Sequence, residues 1–173
     1  YGSLGADTLG SRSTAVGYLA LNAQNFTTAT EVYNTAVGMF AGGSITTAKF
    51  NNLFGGLAGD ALTTGDSNTA LGYVALTSDT KGERAVAIGE GALHTQNFTT
   101  ETSNYNVAMG YNAGYSVTTG VQNTLIGGIA FDNLTTGDRC TALGYNIGPS
   151  AVGVDQEIVI GSNINGGGAN TVR

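Results

Sequence analysis

The six residues NTALGY at 68–73 return as CTALGY at 140–145, and close variants stand at 13–18, 34–39, 106–111 and 123–128. Each sextet has a glycine at its fifth position, and we call this residue the anchor glycine. The anchors are Gly17, Gly38, Gly55, Gly72, Gly89, Gly110, Gly127, Gly144 and Gly161. The numbers of successive anchors differ by 17, apart from two steps of 21. The sequence is therefore a tandem repeat with a 17-residue unit.

A second, longer period lies above the first. The two enlarged units carry the same insert, QNFTT, at Gln24–Thr28 and Gln96–Thr100, which sets a 72-residue period. The sequence therefore predicts a single repeat domain, residues 1–173, with blocks at 13–84 and 85–156 and a partial third block at 157–173. We expect the inserts to bulge from the repeat, either as functional loops on a rigid scaffold or as spacers or braces between chains.

The unit length and composition predict an all-β chain. Seventeen residues are too few for a helix–turn–helix repeat, and 28 glycines disfavour helix. Two strands of about five residues and two tight turns fit each unit, and parallel coils stack about 4.8 Å apart. The sequence thus predicts a parallel β-solenoid, or β-roll, of about ten 17-residue coils.

Two adjacent apolar columns precede the anchor, for example Ala70 and Leu71 before Gly72. Neighbouring residues of a strand point to opposite faces, so only one of these columns can face the interior. We expect the column of Leu71 and Ile126 to face inward. The other column then needs a cover, and the simplest cover is another copy of the chain, which predicts a homo-oligomer.

A column of asparagines opens most units, and stacked amides are expected to hydrogen-bond one another along the rod. Its members are Asn34, Asn51, Asn68, Asn106 and Asn123, and it is interrupted at Ser13, Ala85, Cys140 and Glu157. Cys140, the single cysteine, is predicted to be a small filler in this column and not a reactive thiol.

No catalytic or metal constellation recurs with the repeats. His94 is the only histidine, and we interpret it as a loop residue because no partner for catalysis or metal binding repeats with it. A column of acids is interpreted as turn caps and not as a calcium ladder, since the calcium-binding nonapeptide is absent. Its members are Asp66, Glu83, Asp138 and Asp155. The sequence predicts no enzyme activity, no cofactor and no metal.

Charge and hydropathy limit the partners further. The net charge is −6, and the six Lys and Arg residues are scattered singly, whereas nucleic-acid binding needs clustered cations. There is no apolar run of the roughly 18 residues that a spanning helix requires. We expect neither nucleic-acid binding nor membrane insertion.

Aromatic residues in register are the candidates for recognition. Tyrosines follow four of the anchors, Tyr1 fits the same column, and each insert carries one phenylalanine. Aromatics can form a stripe that contacts a host glycan or protein, or they can pack against a neighbouring coil or chain. The candidate receptor or inter-chain contact residues are Tyr18, Tyr73, Tyr111, Tyr145, Phe26 and Phe98.

The recurring sequence motif NTALGY…TTGD resembles the repeats of bacteriophage tail fibres, and it is similar to the NxxAIG head repeats of trimeric autotransporter adhesins. The stretches 157–163 (EIVIGSN) and 166–173 (GGGANTVR) resemble the lead into a further coil of such fibres. The resemblance implies a left-handed β-roll, a homotrimer, and a structural role in a tail fibre or other virion appendage that takes part in host attachment.

Two alternatives remain open. One is a bacterial surface adhesin or extracellular filament subunit of the same architecture, located at the cell surface. The other is a carbohydrate- or ice-binding solenoid. Of carbohydrate binding and ice binding, ice binding is the less favoured. Adjacent threonines in a strand face opposite sides, so each coil offers only one outward threonine.

Overall fold

The computed structural model describes residues 2–170, so Tyr1, with its predicted place in the tyrosine column, and residues 171–173 of the partial third block lie outside it. The described chain is all-β and contains no helix. Its strands are β1 (Gly10–Ser11), β2 (Thr14–Val16), β3 (Thr30–Glu31), β4 (Thr35–Val37), β5 (Asn52–Phe54), β6 (Thr69–Leu71), β7 (Gly82–Glu83), β8 (Val86–Ile88), β9 (Thr102–Ser103), β10 (Val107–Met109), β11 (Thr124–Ile126), β12 (Thr141–Leu143) and β13 (Ile158–Ile160).

Nine three-residue strands, one from each repeat, form a single parallel sheet in the order β13-β12-β11-β10-β8-β6-β5-β4-β2. The register follows the sequence period, since Thr69 lies opposite Val86 across an ordinary unit and Thr14 lies opposite Thr35 across an enlarged one. Two short parallel pairs, β1–β3 and β7–β9, accompany the inserts. The predicted parallel β-solenoid is confirmed, with about nine turns.

The extended segments are fewer and shorter than predicted, since each coil has one strand of three residues and only the coils beside the inserts add a second, of two residues, where two of five were expected. The reason is visible in the coil of Gly72, where Ser67, Val74 and Leu76 have φ angles of 63°, 50° and 54°. Such left-handed residues end an extended run and turn the chain. The ladder still continues through two of these corners, because Ser67 and Val74 donate their N–H groups to Lys49 and Gly56 one coil back, at 2.9 and 3.0 Å.

The interior is lined by the column two residues before the anchor, so the prediction that Leu71 and Ile126 face inward is wrong. Ala70 is fully buried, whereas Leu71 is 47% exposed and Ile126 is half-buried on the outward side. The anchor is preceded by a three-residue strand whose middle residue faces in. Since the coil also encloses Ala75 and Leu76, its narrow interior suits the smaller residue.

Large and small core residues of neighbouring coils complement one another in this narrow interior. A β-carbon on Gly42 would lie 2.9 Å from Cδ2 of Leu21 in the preceding coil and 2.8 Å from Cδ1 of Leu53 in the next. A β-carbon on Gly114 would likewise lie 2.7 Å from Cδ1 of Leu125. Each leucine therefore occupies the space that a neighbouring glycine leaves, so the coils are close-packed even though they are thin.

The asparagine column is buried, but its amides bond chiefly to backbone and not to one another, which corrects the predicted amide ladder. Asn68 Oδ1 accepts the N–H of Ala85 at 2.9 Å, and Asn68 Nδ2 donates to the carbonyl of Gly82 at 2.9 Å. Each side chain thereby satisfies backbone groups that the short strands leave unpaired. Cys140 is buried in the same column, its Sγ lies 3.1 Å from the carbonyl oxygen of Val154, and burial raises the pKa of its thiol.

Candidate interaction surface

The outward side of the nine-stranded sheet is a surface that we call the outer face, and its middle column, the residue before each anchor, is apolar. It consists of the residues three before, one before and one after each anchor, which share one side of the strand because strand side chains alternate. Leu71 and Tyr73 are exposed by 47% and 56%. The exposed members of the column before the anchor are Val16, Phe54, Leu71, Met109, Leu143 and Ile160. The second apolar column of the sequence is thus uncovered in the single chain.

The four predicted tyrosines lie on one edge of the outer face. Tyr18, Tyr73, Tyr111 and Tyr145 are each more than half exposed. The Cδ2 atom of Tyr73 would lie 3.5 Å from a β-carbon on Gly56, so this ring covers the glycine of the preceding coil. The tyrosines therefore form a raised, accessible column, and a role in contact with a receptor or another chain stays a prediction.

The two phenylalanines of the inserts do not belong to this surface. Phe26 and Phe98 are each only 6% exposed. The exposed tips of the inserts are residues 27–29 and 99–101. The predicted contact role of Phe26 and Phe98 stays a prediction, and their burial places them inside the insert.

An aromatic corner, which the sequence prediction missed, borders the outer face on its other edge. The rings of Tyr33 and Phe50 stack with centroids 6.0 Å apart at 16°, and the guanidinium of Arg12 lies 5.4 Å from the Tyr33 centroid. Arg12 also forms an ion pair with Glu31 at 2.6 Å. The Tyr33 hydroxyl donates to Glu31 at 2.8 Å, and this bond raises the pKa of Tyr33. All four side chains are solvent-exposed.

A similar corner recurs one 72-residue period further along the chain. The Arg84 guanidinium lies 5.8 Å from the Tyr105 centroid, and Arg84 forms an ion pair with Glu83 at 2.8 Å. The position of Phe50 is taken here by Gln122, so this copy has no second ring. The signal that could have revealed the corner is the longer period itself, which places Arg12 and Tyr33 in register with Arg84 and Tyr105.

The acid column caps neighbouring coils. Asp66 accepts the N–H of Lys49 at 2.7 Å, and Asp138 accepts that of Val121 at 2.8 Å. Partial burial raises the pKa of Asp66. Glu83 differs, because it pairs with Arg84. This geometry matches turn capping, and within residues 2–170 no group of three or more His, Cys, Asp or Glu side chains is arranged to hold a metal.

His94 stacks on Tyr115, with ring centroids 4.5 Å apart at 13°. Its Nδ1 atom is buried and has no hydrogen-bond partner among the described residues.

No pocket opens in the part of the chain that the structure describes, and none of its segments is a helix able to span a membrane.

No family model, no curated protein and no solved structure matches this chain. Its function is accordingly inferred from the outer face, the corners and the inserts. Of these, the outer face is the largest, since it runs along all nine strands of the sheet.

Proposed function

We propose that this chain is a structural, non-enzymatic rod segment of a fibre. The observation that carries the proposal is the unbroken nine-strand parallel ladder with an apolar interior on one side and an exposed apolar column along its outer face on the other. Neighbouring coils stack about 4.8 Å apart, so nine rungs give a rod of about 40 Å. Such a rod acts as a stiff spacer, because backbone hydrogen bonds join each coil to the next along its length.

The rod works as a homo-oligomer, and a trimer is the state that the resemblance to fibre repeats implies. The outer face is roughly 40 Å long and, from the rise between the residues that flank the strand, roughly 15 Å wide. That area of about 600 Å² approaches the ~800 Å² that each partner contributes to a standard stable interface. An exposed apolar column that runs along such a face marks an association site, and the self-similar columns of one rod match those of another copy.

In this proposal the rod belongs to a phage tail fibre or comparable virion appendage and holds a receptor-binding tip away from the particle. The recurring NTALGY and TTGD text supports this assignment through its resemblance to tail-fibre repeats. A bacterial surface adhesin or extracellular filament of the same architecture is the alternative with the same mechanical role. Both place the chain outside a cell, on a virion or on a bacterial surface.

Carbohydrate binding is a second candidate function, and the aromatic corner is the observation that favours it. Phe50 is 48% exposed and stacks on Tyr33 on one side. Exposed ring faces beside charged groups such as Glu31 and Arg12 can stack on a sugar while the charges bond its hydroxyls.

The first experiment measures the solution mass of the intact chain by light scattering, with glycan binding measured in parallel. We expect a mass of three chains. The double variant Leu71→Asp with Leu143→Asp, which charges the outer face, should give single chains that keep the β-sheet circular dichroism spectrum. Thr119→Asp, which adds a charge at an exposed position away from that face, is the control and should leave the trimer intact.

A stable wild-type monomer would contradict the fibre proposal. If such a monomer bound glycans, and if Phe50→Ala abolished that binding, the second candidate function would replace the first.

A further inference from the structure

The two inserts share a partner motif that lies one coil earlier in the chain. The tetrad Asp-Thr-x-Gly occurs at 7–10 and at 79–82, and in both cases its aspartate stands one 17-residue unit ahead of the insert glutamine, Gln24 or Gln96. The two copies of the tetrad follow the same 72-residue period as the inserts themselves. Stacking of successive coils therefore places each tetrad directly against an insert.

At the second insert, the tetrad and the insert bond residue by residue. Asp79 is fully buried, and its Oδ2 accepts Gln96 Nε2 at 2.6 Å. Asp79 Oδ1 accepts the N–H groups of Phe98 at 3.0 Å and Gly82 at 2.9 Å. Thr80 Oγ1 lies 2.9 Å from the carbonyl oxygen of Phe98 and donates to it.

Gly82 completes the tetrad because the Asp79 carboxylate occupies the space where a side chain at residue 82 would stand. Each fixed residue of the tetrad, the aspartate, the threonine and the glycine, therefore has a role at the insert.

The first insert repeats this arrangement. Asp7 accepts Gln24 Nε2 and, at 3.0 Å, the N–H of Gly10. Thr8 Oγ1 lies 3.2 Å from the carbonyl oxygen of Phe26. Two separate parts of the chain thus build the same polar joint, which is fully buried at Asp79 and partly buried at Asp7. The joint therefore follows from the motif and not from one local environment.

Each joint also sets the direction of the asparagine column that follows. A carboxylate only accepts hydrogen bonds, so Gln96 must turn its amide nitrogen toward Asp79 and its oxygen toward Asn106. Asn106 Nδ2 donates to that oxygen at 2.8 Å, and Asn106 Oδ1 then accepts the N–H of Asn123 at 2.9 Å. Gln24 Oε1 accepts Asn34 Nδ2 at 2.9 Å in the same way.

Four of the coils that neither carry nor precede an insert have a buried apolar residue where the tetrad has its aspartate. Counted from the anchor glycine, the position of Asp79 corresponds to Ile45, Leu62, Val117 and Leu134, all of them buried. A leucine there offers no acceptor to the insert glutamine, whose buried amide would remain unpaired. Only a coil with the aspartate is therefore complementary to an insert.

We propose that the buried Asp-Thr-x-Gly and Gln-Asn-Phe pair is a register key that selects which coil stacks beneath each insert and so makes the 72-residue block the unit of assembly. The key keeps the exposed insert tips, residues 27–29 and 99–101, four coils apart along the rod. It does not depend on the proposed fibre function, because it concerns the folding of one chain.

The experiment tests the register key by deleting one coil, residues 69–85, so that a different coil comes to precede the second insert. The deletion removes Asp79 and brings Leu62 into its place, one coil ahead of Gln96, while Ala87 and Leu93 take the core places of Ala70 and Leu76. Adding Leu62→Asp rebuilds the tetrad as Asp-Thr-Thr-Gly at 62–65. Hydrogen exchange is measured separately over the two inserts, and the first insert serves as the internal reference for folding.

We expect the amides of residues 95–105 to exchange about tenfold or more faster in the deletion variant, and the added Leu62→Asp to restore their protection. The amides of 23–33 should stay protected throughout. Undiminished protection of 95–105 in the deletion variant, or no gain from Leu62→Asp, would overturn the proposal.

If the deletion variant does not fold, the full-length variant Asp79→Leu gives the same decision. The second insert should then lose protection while the first keeps it, and equal protection of both inserts would contradict the key. In the double variant Asp79→Leu with Gln96→Leu, part of the lost stability should return, because the Gln96 amide is no longer buried without its acceptor. The recovery should be only partial, since the N–H groups of Gly82 and Phe98 still lack the Asp79 carboxylate.

Discussion

A β-carbon on Gly72 would lie 2.6 Å from the carbonyl oxygen of Gly89, the anchor of the next coil. The φ angle of Gly72 is 140°, a value that side chains rarely permit. Gly72→Ala should therefore lower the free energy of unfolding by about 3 kcal/mol or more, since it combines backbone strain with a steric clash against backbone. The measurement is a denaturant titration followed by circular dichroism.

Gly56→Ala is the matched control. A β-carbon there would meet Tyr73 Cδ2 at 3.5 Å, which is an ordinary contact. We expect a change within about 0.5 kcal/mol. A Gly72→Ala variant as stable as this control would show that the anchors need no close approach between coils.

Two adjacent residues should respond oppositely to the same charge. Ala70 is fully buried and Leu71 is 47% exposed. Ala70→Asp buries an unpaired carboxylate and should cost more than about 3 kcal/mol of stability. Leu71→Asp should leave the single chain folded and act on association alone. Thermal melts of both variants at a protein concentration that keeps them monomeric test this, and equal melting temperatures would contradict the assignment of the two faces.

The period, the parallel stacking and the column contents could be read from the sequence, because a repeated residue must occupy a repeated environment. Which of Ala70 and Leu71 faces inward could not be read, because both columns are apolar. Which column faces inward depends on the interior volume of a coil that turns at three left-handed residues, Ser67, Val74 and Leu76. The glycines and threonines of the repeat do not reveal that these three residues adopt the left-handed conformation.

The burial of Phe98 was also hidden from the sequence prediction. The backbone of Phe98 is held by Asp79 and Thr80, which lie one coil earlier. This partner tetrad becomes evident only when the two 72-residue blocks are aligned over their preceding coils. The aromatic corner was missed for a similar reason, since Arg12 and Tyr33 belong to consecutive coils and share no local motif.

The asparagine column should stabilise the fold through the hydrogen bonds that its side chains form with backbone groups. Asn68→Ala removes the acceptor of the Ala85 N–H and the donor to the Gly82 carbonyl, and two buried backbone groups are left without that partner. A loss of about 2–4 kcal/mol is expected in a denaturant titration. Asn133→Ala, at an exposed position, should stay within about 0.5 kcal/mol of the wild type. Equal losses for the two variants would mean that the column contributes nothing beyond a generic asparagine.

The stability of the rod should depend on pH through Asp79. Burial raises the pKa of this carboxyl above its ordinary value of 3.8, against the opposing hydrogen bonds from Gln96 and Phe98. The folded chain therefore binds this proton more tightly than the unfolded chain does. The contribution is fully present below pH 3.8 and is lost as the pH rises through the raised pKa. Asp66, whose pKa is also raised by burial, contributes with the same sign.

Asp79→Asn isolates this contribution, because the variant carries no titrating group at residue 79. Melting temperatures measured from pH 3 to pH 8 should fall less steeply with pH in Asp79→Asn than in the wild type, and Asp66→Asn should flatten the remaining part of the slope. A variant at an acid exposed to solvent, Glu101→Gln, controls for the general change in net charge. If Asp79→Asn kept the full wild-type slope while Glu101→Gln did the same, the buried carboxyl would already be uncoupled from folding, and its desolvation would not be the cause of the pH dependence.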